Sequence, residues 1–386
     1  MSPTPATSIP AEHPLPAIPD PRLELVKNLT PFPHLHCQKM GPGRRFFDTV
    51  VLKGTFVLAP GPLRIAEEQA PIVLADRYRD RANAARSSLE HAGEVLLRKP
   101  GTDVLITGSA HAPRGRPLTE WDCTVTVHGH EGAVLGHTVQ ATGPRQFVHR
   151  ALRGWTLSDP EPALVVPIRY ELAYGGSFLD RRSPPGSPRF VVYRPNPSGR
   201  GFFDDDTLDS SRTYPGPQWQ LRAHPVKGIN TEVPLAGLGP VARMWSARKR
   251  FAGTYDSAWQ ERLGPDAAKG LCPDYPADFD LRFFQCAHPA LVTPVHLRGD
   301  ERIRLLGLVS GRDAMELSLP DIQPRAKLFG PDGARDERPM ELDTVHVDLD
   351  TARVHLCWRL ALGDEQDFGA AAIVAETGER HGQTHR

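Results

Sequence analysis

Proline and glycine set the first limit on what this chain can fold into. Its 386 residues include 39 prolines and 34 glycines, roughly 19% of the total, above the ordinary share yet below the level of a chain disordered throughout. Proline removes a backbone donor and breaks helices, so punctuation this dense favours short strands joined by turns. Regularly interleaved amphipathic helices of about ten or more residues do not occur in the pattern, which argues against a doubly wound or barrel α/β fold. The length allows two domains, each burying a core of its own.

Strand signals begin at Leu25. Phe46 to Gly61 alternates around Val51, Thr55 and Val57 and closes on Pro60 and Gly61. Further strands are expected at Val95 to Leu97, Asp103 to Gly108 and Cys123 to His128, with Gly132 to Thr142 as a hairpin partner and Ala163 to Tyr174 as one long strand. Strand texture resumes at Asp278 to Cys286 and runs on to ARVHLCWRL, where Val354, Leu356 and Trp358 fall on one face and Arg353, His355 and Cys357 on the other. The best helix candidate is Ser257 to Leu263, with Ser257 able to cap it and Glu261 early in the dipole.

The expected fold is therefore mainly β, with two antiparallel, sandwich-like units, long Pro/Gly-rich connecting loops and few short helices. The expected division is a flexible Pro-rich arm over 1–24, a β-rich domain over 25–180, an irregular connection over 181–239 partly ordered by Phe202, Phe203 and Trp219, a second β-rich domain over 240–363 and a polar tail over 364–386. No fixed-period repeat is present, which disfavours solenoids and propellers.

Charge removes several function classes. Lys plus Arg and Asp plus Glu both total 46, for a net charge of zero, so the basic footprint of a nucleic-acid binder or a polybasic membrane anchor is missing. No apolar run is long enough to span a bilayer. The first residues carry seven prolines but no charged start or apolar stretch of a secretory signal, and the five scattered cysteines show no CxxC pair. Both point to a cytoplasmic protein with reduced thiols.

Catalytic signals are thin. His34, His36 and Cys37, then His128, His130 and His137, offer zinc-type donors, but no CxxC or HxxxH completes a site, so no metal is expected. Glu67 and Glu68, Asp204 to Asp206, and Asp278 with Asp280 are nominal carboxylate pairs for glycoside hydrolysis, though sequence spacing cannot fix a separation across a cleft. Ser109 with His111 lacks a third member, and neither a GxSxG elbow nor a phosphate loop occurs. No cofactor is expected. Arg248, Lys249 and Arg250 follow Trp245, and Tyr255 and Trp259 follow a turn glycine. Arginine beside aromatic side chains is the composition of protein-binding hot spots, so Arg248, Arg250, Tyr255 and Trp259 are the candidate partner-binding residues.

Several strings together resemble the family known as domain of unknown function 2169. They are KGTF at Lys53 to Phe56, AEEQAPIVLADRY at Ala66 to Tyr78, KPGTDVLITGSAHAPRG at Lys99 to Gly115 and IRYELAYGG at Ile168 to Gly176, then NPSGRGF at Asn196 to Phe202, GLGPVARMWSARKRFAGTYDSAW at Gly237 to Trp259 and DFDLRFFQCAHP at Asp278 to Pro289. The stretch RLGPDAAKGLCPDYPADFD is longer than the usual connection, and CAHPALVT departs from the family's string there. The resemblance implies a non-catalytic adaptor or chaperone that binds a type VI secretion effector and helps load it onto the spike protein. The competing expectation is a carbohydrate- or peptidoglycan-acting enzyme, itself delivered as an effector, with Asp278 and Asp280 as acid or base. Neither reading fixes the effector or the state of self-association.

Overall fold

A computed structural model describes residues 23–267, 274–363 and 368–377. Its longer strands, in chain order, are β1 (Leu25–Asn28), β2 (His34–Met40), β3 (Phe46–Val57), β4 (Asp103–Thr107), β5 (Glu120–Gly129), β6 (Gly132–Thr142), β7 (Arg302–Leu306), β8 (Ala314–Ser318), β9 (Ile322–Phe329), β10 (Arg335–Pro339), β11 (Glu341–Asp348), β12 (Arg353–Leu362) and β13 (Ala370–Thr377). The α-helices are α1 (Ser246–Lys249) and α2 (Ser257–Ala267). The protein is mainly β and rich in antiparallel pairing. No helix among the described residues is long and apolar enough to cross a membrane.

One six-stranded sheet runs β2-β3-β12-β11-β4, with Arg64–Ile65 pairing the far end of β3. A second six-stranded sheet runs from Trp219–Gln220 through β6, β5, β7 and β8 to Gly61–Pro62. The order β1-β13-β9-β10 makes a four-stranded third sheet. Strand alternation explains the packing. Val50, Leu52 and Phe56 of β3, Val354, Leu356 and Trp358 of β12, and Val345 and Val347 of β11 enter one core with Val125, Val139, Ile303, Leu305 and Leu317 of the second sheet.

That shared core changes the expected domain division. β3 and β4, from the segment 25–180, lie in the same sheet as β11 and β12, from 240–363, and the second sheet likewise joins β5 and β6 to β7 and β8. The Pro/Gly-rich segment between them is a connection that itself adds Trp219 and Leu238 to that core, and both large sheets form only when both segments contribute strands.

Other elements also differ. Of the expected tail, 370–377 is β13, seated between β1 and β9 with Ala371 and Ile373 buried, while 364–367 and 378–386 lie outside the described residues, as do 1–22 of the expected arm. The long strand expected at Ala163 to Tyr174 is broken by Pro167 and a 3-10 turn at Tyr170–Leu172. Val95 to Leu97 is loop, and within Asp278 to Cys286 the chain makes a 3-10 turn at Leu281–Phe284. Helix α2 is capped by Asp256, whose carboxylate accepts from the Trp259 N–H at 2.9 Å, and not by Ser257. In the segment 181–239, Phe202 and Phe203 join a small aromatic core with Phe147, Tyr174 and Tyr214, whereas Trp219 enters the main core.

Trp358 is 1% exposed and stacks on Phe32 at 5.9 Å. Trp358→Ala is expected to cost about 3–5 kcal/mol in urea denaturation, with near- and far-UV circular dichroism lost in one transition. Two separated transitions would mean that the halves fold independently after all.

Candidate functional site

The four surface candidates fall into three different situations. Arg248, in α1, is 5% exposed. Its guanidinium donates to the Val241 carbonyl at 2.9 Å and to the Phe283 carbonyl at 2.9 and 3.1 Å, and burial lowers its pKa. It is an internal strut that satisfies the backbone of two irregular segments, so its assignment as a surface anchor is corrected. Arg250, two residues on, is exposed, and its guanidinium carbon lies 4.7 Å from the Phe251 ring centroid. Tyr255 is exposed and meets half-buried Trp259 edge to face at 4.7 Å, while the Trp259 indole donates to the Asp274 carbonyl at 3.2 Å.

Around Arg250 the surface folds into a groove of about 420 Å³ lined by Pro100, Ala247, Phe251, Arg282, Gln285 and Val292, among others. Arg282 lies 4.4 Å from the same Phe251 ring. Among the described residues no aspartate or glutamate lines this groove; Asp280 balances Arg282 and Arg248 is spent on carbonyls, so Arg250 is the lining guanidinium left without a carboxylate there, set over an apolar floor. Tyr255 and Trp259 are not part of its lining. Sequence reasoning missed Phe251 and Arg282, although Phe251 directly follows Arg250.

Asp278 and Asp280 stand close by, each already committed. Asp278 accepts from the Thr254 N–H at 2.8 Å and its hydroxyl at 2.7 Å, and these bonds hold its carboxyl below the usual range. They also fix the turn at Gly253, where φ is +84° and a Cβ would approach Pro276 to 2.7 Å. Asp280 takes Arg282 Nε at 2.9 Å and its own pKa is lowered by that arginine.

A second cavity, of about 210 Å³, lies between the first sheet and the loop over 66–99. The sheet face turned toward it is polar: Lys53 and Thr55 of β3, His355, Cys357 and Arg359 of β12, Thr344 and His346 of β11. Lys53 pairs with Glu94 at 2.7 Å, Lys99 with Asp103 at 2.8 Å and Arg359 with Asp343 at 2.5 Å. Burial works against the Lys99 charge, but Asp103, Cys286 and Asp343 together raise its pKa. Burial would likewise raise Asp343, yet Arg359 and Lys99 hold it below its ordinary value. Burial pushes the Cys286 thiol up to about 12, with Asp103 adding to it.

The histidines are spent in pairs. His346 bonds the Thr107 hydroxyl at 2.7 Å and His355 that of Thr55 at 3.2 Å; burial lowers them to about 3 and about 4, so both are neutral. His36 pairs with Asp48 at 2.8 Å, His130 with Asp300 at 2.7 Å, and His137 stacks on His288 at 4.3 Å. Among the described residues no group of three or more His, Cys, Asp or Glu is arranged to hold a metal ion.

Residues 44–359 match the model of a family described as an uncharacterized protein conserved in bacteria, DUF2169. The chain belongs to the DUF2169 family. No curated protein and no solved structure matches it. Strings that carry the DUF2169 resemblance converge on the polar cavity, which takes Lys53 from KGTF, Ala70 to Val73 from AEEQAPIVLADRY, Lys99 from KPGTD, Pro240 from GLGP and Cys286 from QCAHP. The available signal was a lysine inside an apolar strand, since a buried ammonium needs a partner.

Two outcomes follow for this cavity. Asp343→Asn leaves Arg359 and Lys99 short of a counter-charge and is expected to cost about 3–5 kcal/mol in chemical denaturation; a change below about 0.5 kcal/mol would mean the pair is solvated. His346 and His355 have folded-state pKa values below the ordinary 6.5, so the unfolded chain binds more protons between about pH 6.5 and 4. Their stabilising share is full above pH 6.5 and falls as the pH drops through that window. His355→Gln should flatten the pH slope of stability there, and an unaltered slope would mean the imidazole titrates alike in both states.

Proposed function

We propose that this DUF2169 protein is a non-catalytic adaptor that binds a type VI secretion effector in the cytoplasm and helps load it onto the spike protein. The observation that supports it best is the groove in which Arg250, without a carboxylate partner among the described residues, lies against Phe251 over an apolar floor. An arginine lying against an aromatic ring loses little freedom when it takes a carboxylate, which suits it to anchor a partner segment bearing acidic and apolar side chains. Exposed Tyr255 lies outside the groove lining and offers a separate aromatic contact for a partner.

The competing enzyme reading gains no support from its own residues. A general acid for glycoside cleavage needs a raised pKa, whereas Asp278 and Asp280 are both lowered by hydrogen bonds that hold local turns.

The test is capture of the cognate effector by the purified chain. Arg250→Glu, alone and with Phe251→Ala, should weaken capture about tenfold or more, a change of about 1.4 kcal/mol, while Leu152→Ser, at a fully exposed hairpin tip, should not. Wild-type capture by the Arg250→Glu protein would remove the groove from the proposal, and peptidoglycan turnover dependent on Asp278 or Asp280 would replace the adaptor with the enzyme.

A further inference from the structure

Among the described residues the outer edge of β2 is open, and its pattern is self-complementary. β2 pairs with β3 alone, from His34 opposite Leu52 to Met40 opposite Phe46. The flanking bonds, Lys53 N–H to the Pro33 carbonyl and Gly41 N–H to the Arg45 carbonyl, fix the phase of the ladder. In an antiparallel pair, hydrogen-bonded positions alternate. Leu35, Cys37 and Lys39 therefore direct their N–H and C=O toward β3, while His34, His36, Gln38 and Met40 direct theirs outward. No backbone partner for these four outward residues occurs among the described residues.

The other edges of the three larger sheets are protected. β10 is the charged run RDERP, β1 has four residues, and the second sheet ends on two-residue strands, one of which contains Pro62. The outer edge of β4 is occupied, since Ile106 N–H donates to the Leu238 carbonyl and Asp103 bridges to Val292. β2 is seven residues long, without proline or bulge, the kind of edge that templates pairing with another strand.

We infer that β2 pairs antiparallel with β2 of a second copy, about a two-fold axis at Cys37, joining the two large sheets into one. In that register His34 lies opposite Met40, His36 opposite Gln38 and Leu35 opposite Lys39. Each strand offers four outward N–H and four outward C=O groups, so twice four gives eight bonds and every outward group is used. Lysine faces leucine and no like charges oppose each other, as cross-strand pairing requires. Shifting the register by one residue would set outward groups against inward ones and lose the ladder.

The arrangement has an internal reporter. Cys37 sits at a non-hydrogen-bonded position on the axis, where opposed Cα atoms are about 4.5 Å apart, within the range a disulfide spans. Cys123, Cys286 and Cys357 are buried, and Cys272 lies outside the described residues. Sedimentation of the full chain should show a species of twice the 42.5-kDa mass. Copper-phenanthroline oxidation should trap it as a covalent dimer that Cys37→Ser abolishes and Cys272→Ser leaves intact. Gln38→Pro deletes one outward N–H without touching the β3 ladder, a tolerated place for proline, and should shift the chain to monomer with its circular dichroism unchanged. A chain monomeric at every concentration, as when the edge serves a segment of another protein, overturns the inference. So does a dimer whose crosslink survives Cys37→Ser.

Discussion

The arrangement of the whole chain depends on the second face of the large sheet being buried as charge. A sheet covered on both sides ordinarily reads as continuous apolar sequence, but here β3, β11 and β12 turn Lys53, Thr55, Thr344, His346 and Arg359 toward the loop over 66–99. That loop has little regular structure, so its backbone groups need partners from elsewhere. The sheet's side chains provide them. Arg359 donates to the carbonyls of Leu96 and Glu94 at 3.1 and 2.8 Å, and Lys53 to that of Pro71 at 3.0 Å. The loop's own side chains complete the joint: Glu94 accepts from the Val73 N–H at 2.7 Å, and the Gln69 amide pairs both backbone groups of Thr55 in the sheet. Side chains on the sheet thus do for the loop what a neighbouring strand would do for a strand.

The same network reaches the groove. Lys99 and Asp103 are joined at 2.8 Å, and Asp103 Oδ2 also accepts from the Cys286 N–H at 2.8 Å. Pro100 follows Lys99, and Gln285 and Ala287 flank Cys286, so groove walls are tethered to a buried ion pair. Gly101 completes the joint, because a Cβ there would lie 2.0 Å from the Thr293 carbonyl oxygen. An exposed groove in irregular chain needs such a tether if its arginines are to meet a partner without a large ordering cost.

What the sequence made legible was strand texture with a clear period. β3, the β5–β6 hairpin and β12 follow from alternation, and Trp358 lies on the face its spacing assigns. The illegible parts have particular causes. Cys357 falls with Arg353 and His355 on the face opposite Trp358, yet it is buried, because the covering loop carries no period. Arg248 resembled a surface anchor since composition records an arginine beside Trp245 but not the carbonyls of Val241 and Phe283 that enclose it. β13, an alanine-rich segment beside polar residues, gains its strand state from pairing with β1 and β9, contacts remote in sequence. Asp278 to Cys286 is rich in phenylalanine without strict alternation, and Asp280 caps a 3-10 turn there by accepting from the Arg282 N–H at 2.8 Å.

Asp274 connects the aromatic pair to the open edge of β2. Its carboxylate accepts from the N–H groups of Gly43 and Arg44 at 3.0 and 3.3 Å, in the turn that follows β2, while its carbonyl accepts the Trp259 indole at 3.2 Å. Tyr255 and Trp259 are therefore fixed relative to the end of that strand rather than to the arginine groove, whose lining excludes them. The residues that composition grouped into one hot spot serve two places: Arg250 faces the groove, and the aromatic pair stands beside the turn that closes the β2–β3 hairpin. Any partner contacting both would have to span the segment from Phe251 to Trp259, which the Asp278 bonds to Thr254 and the Asp256 cap hold in a defined turn.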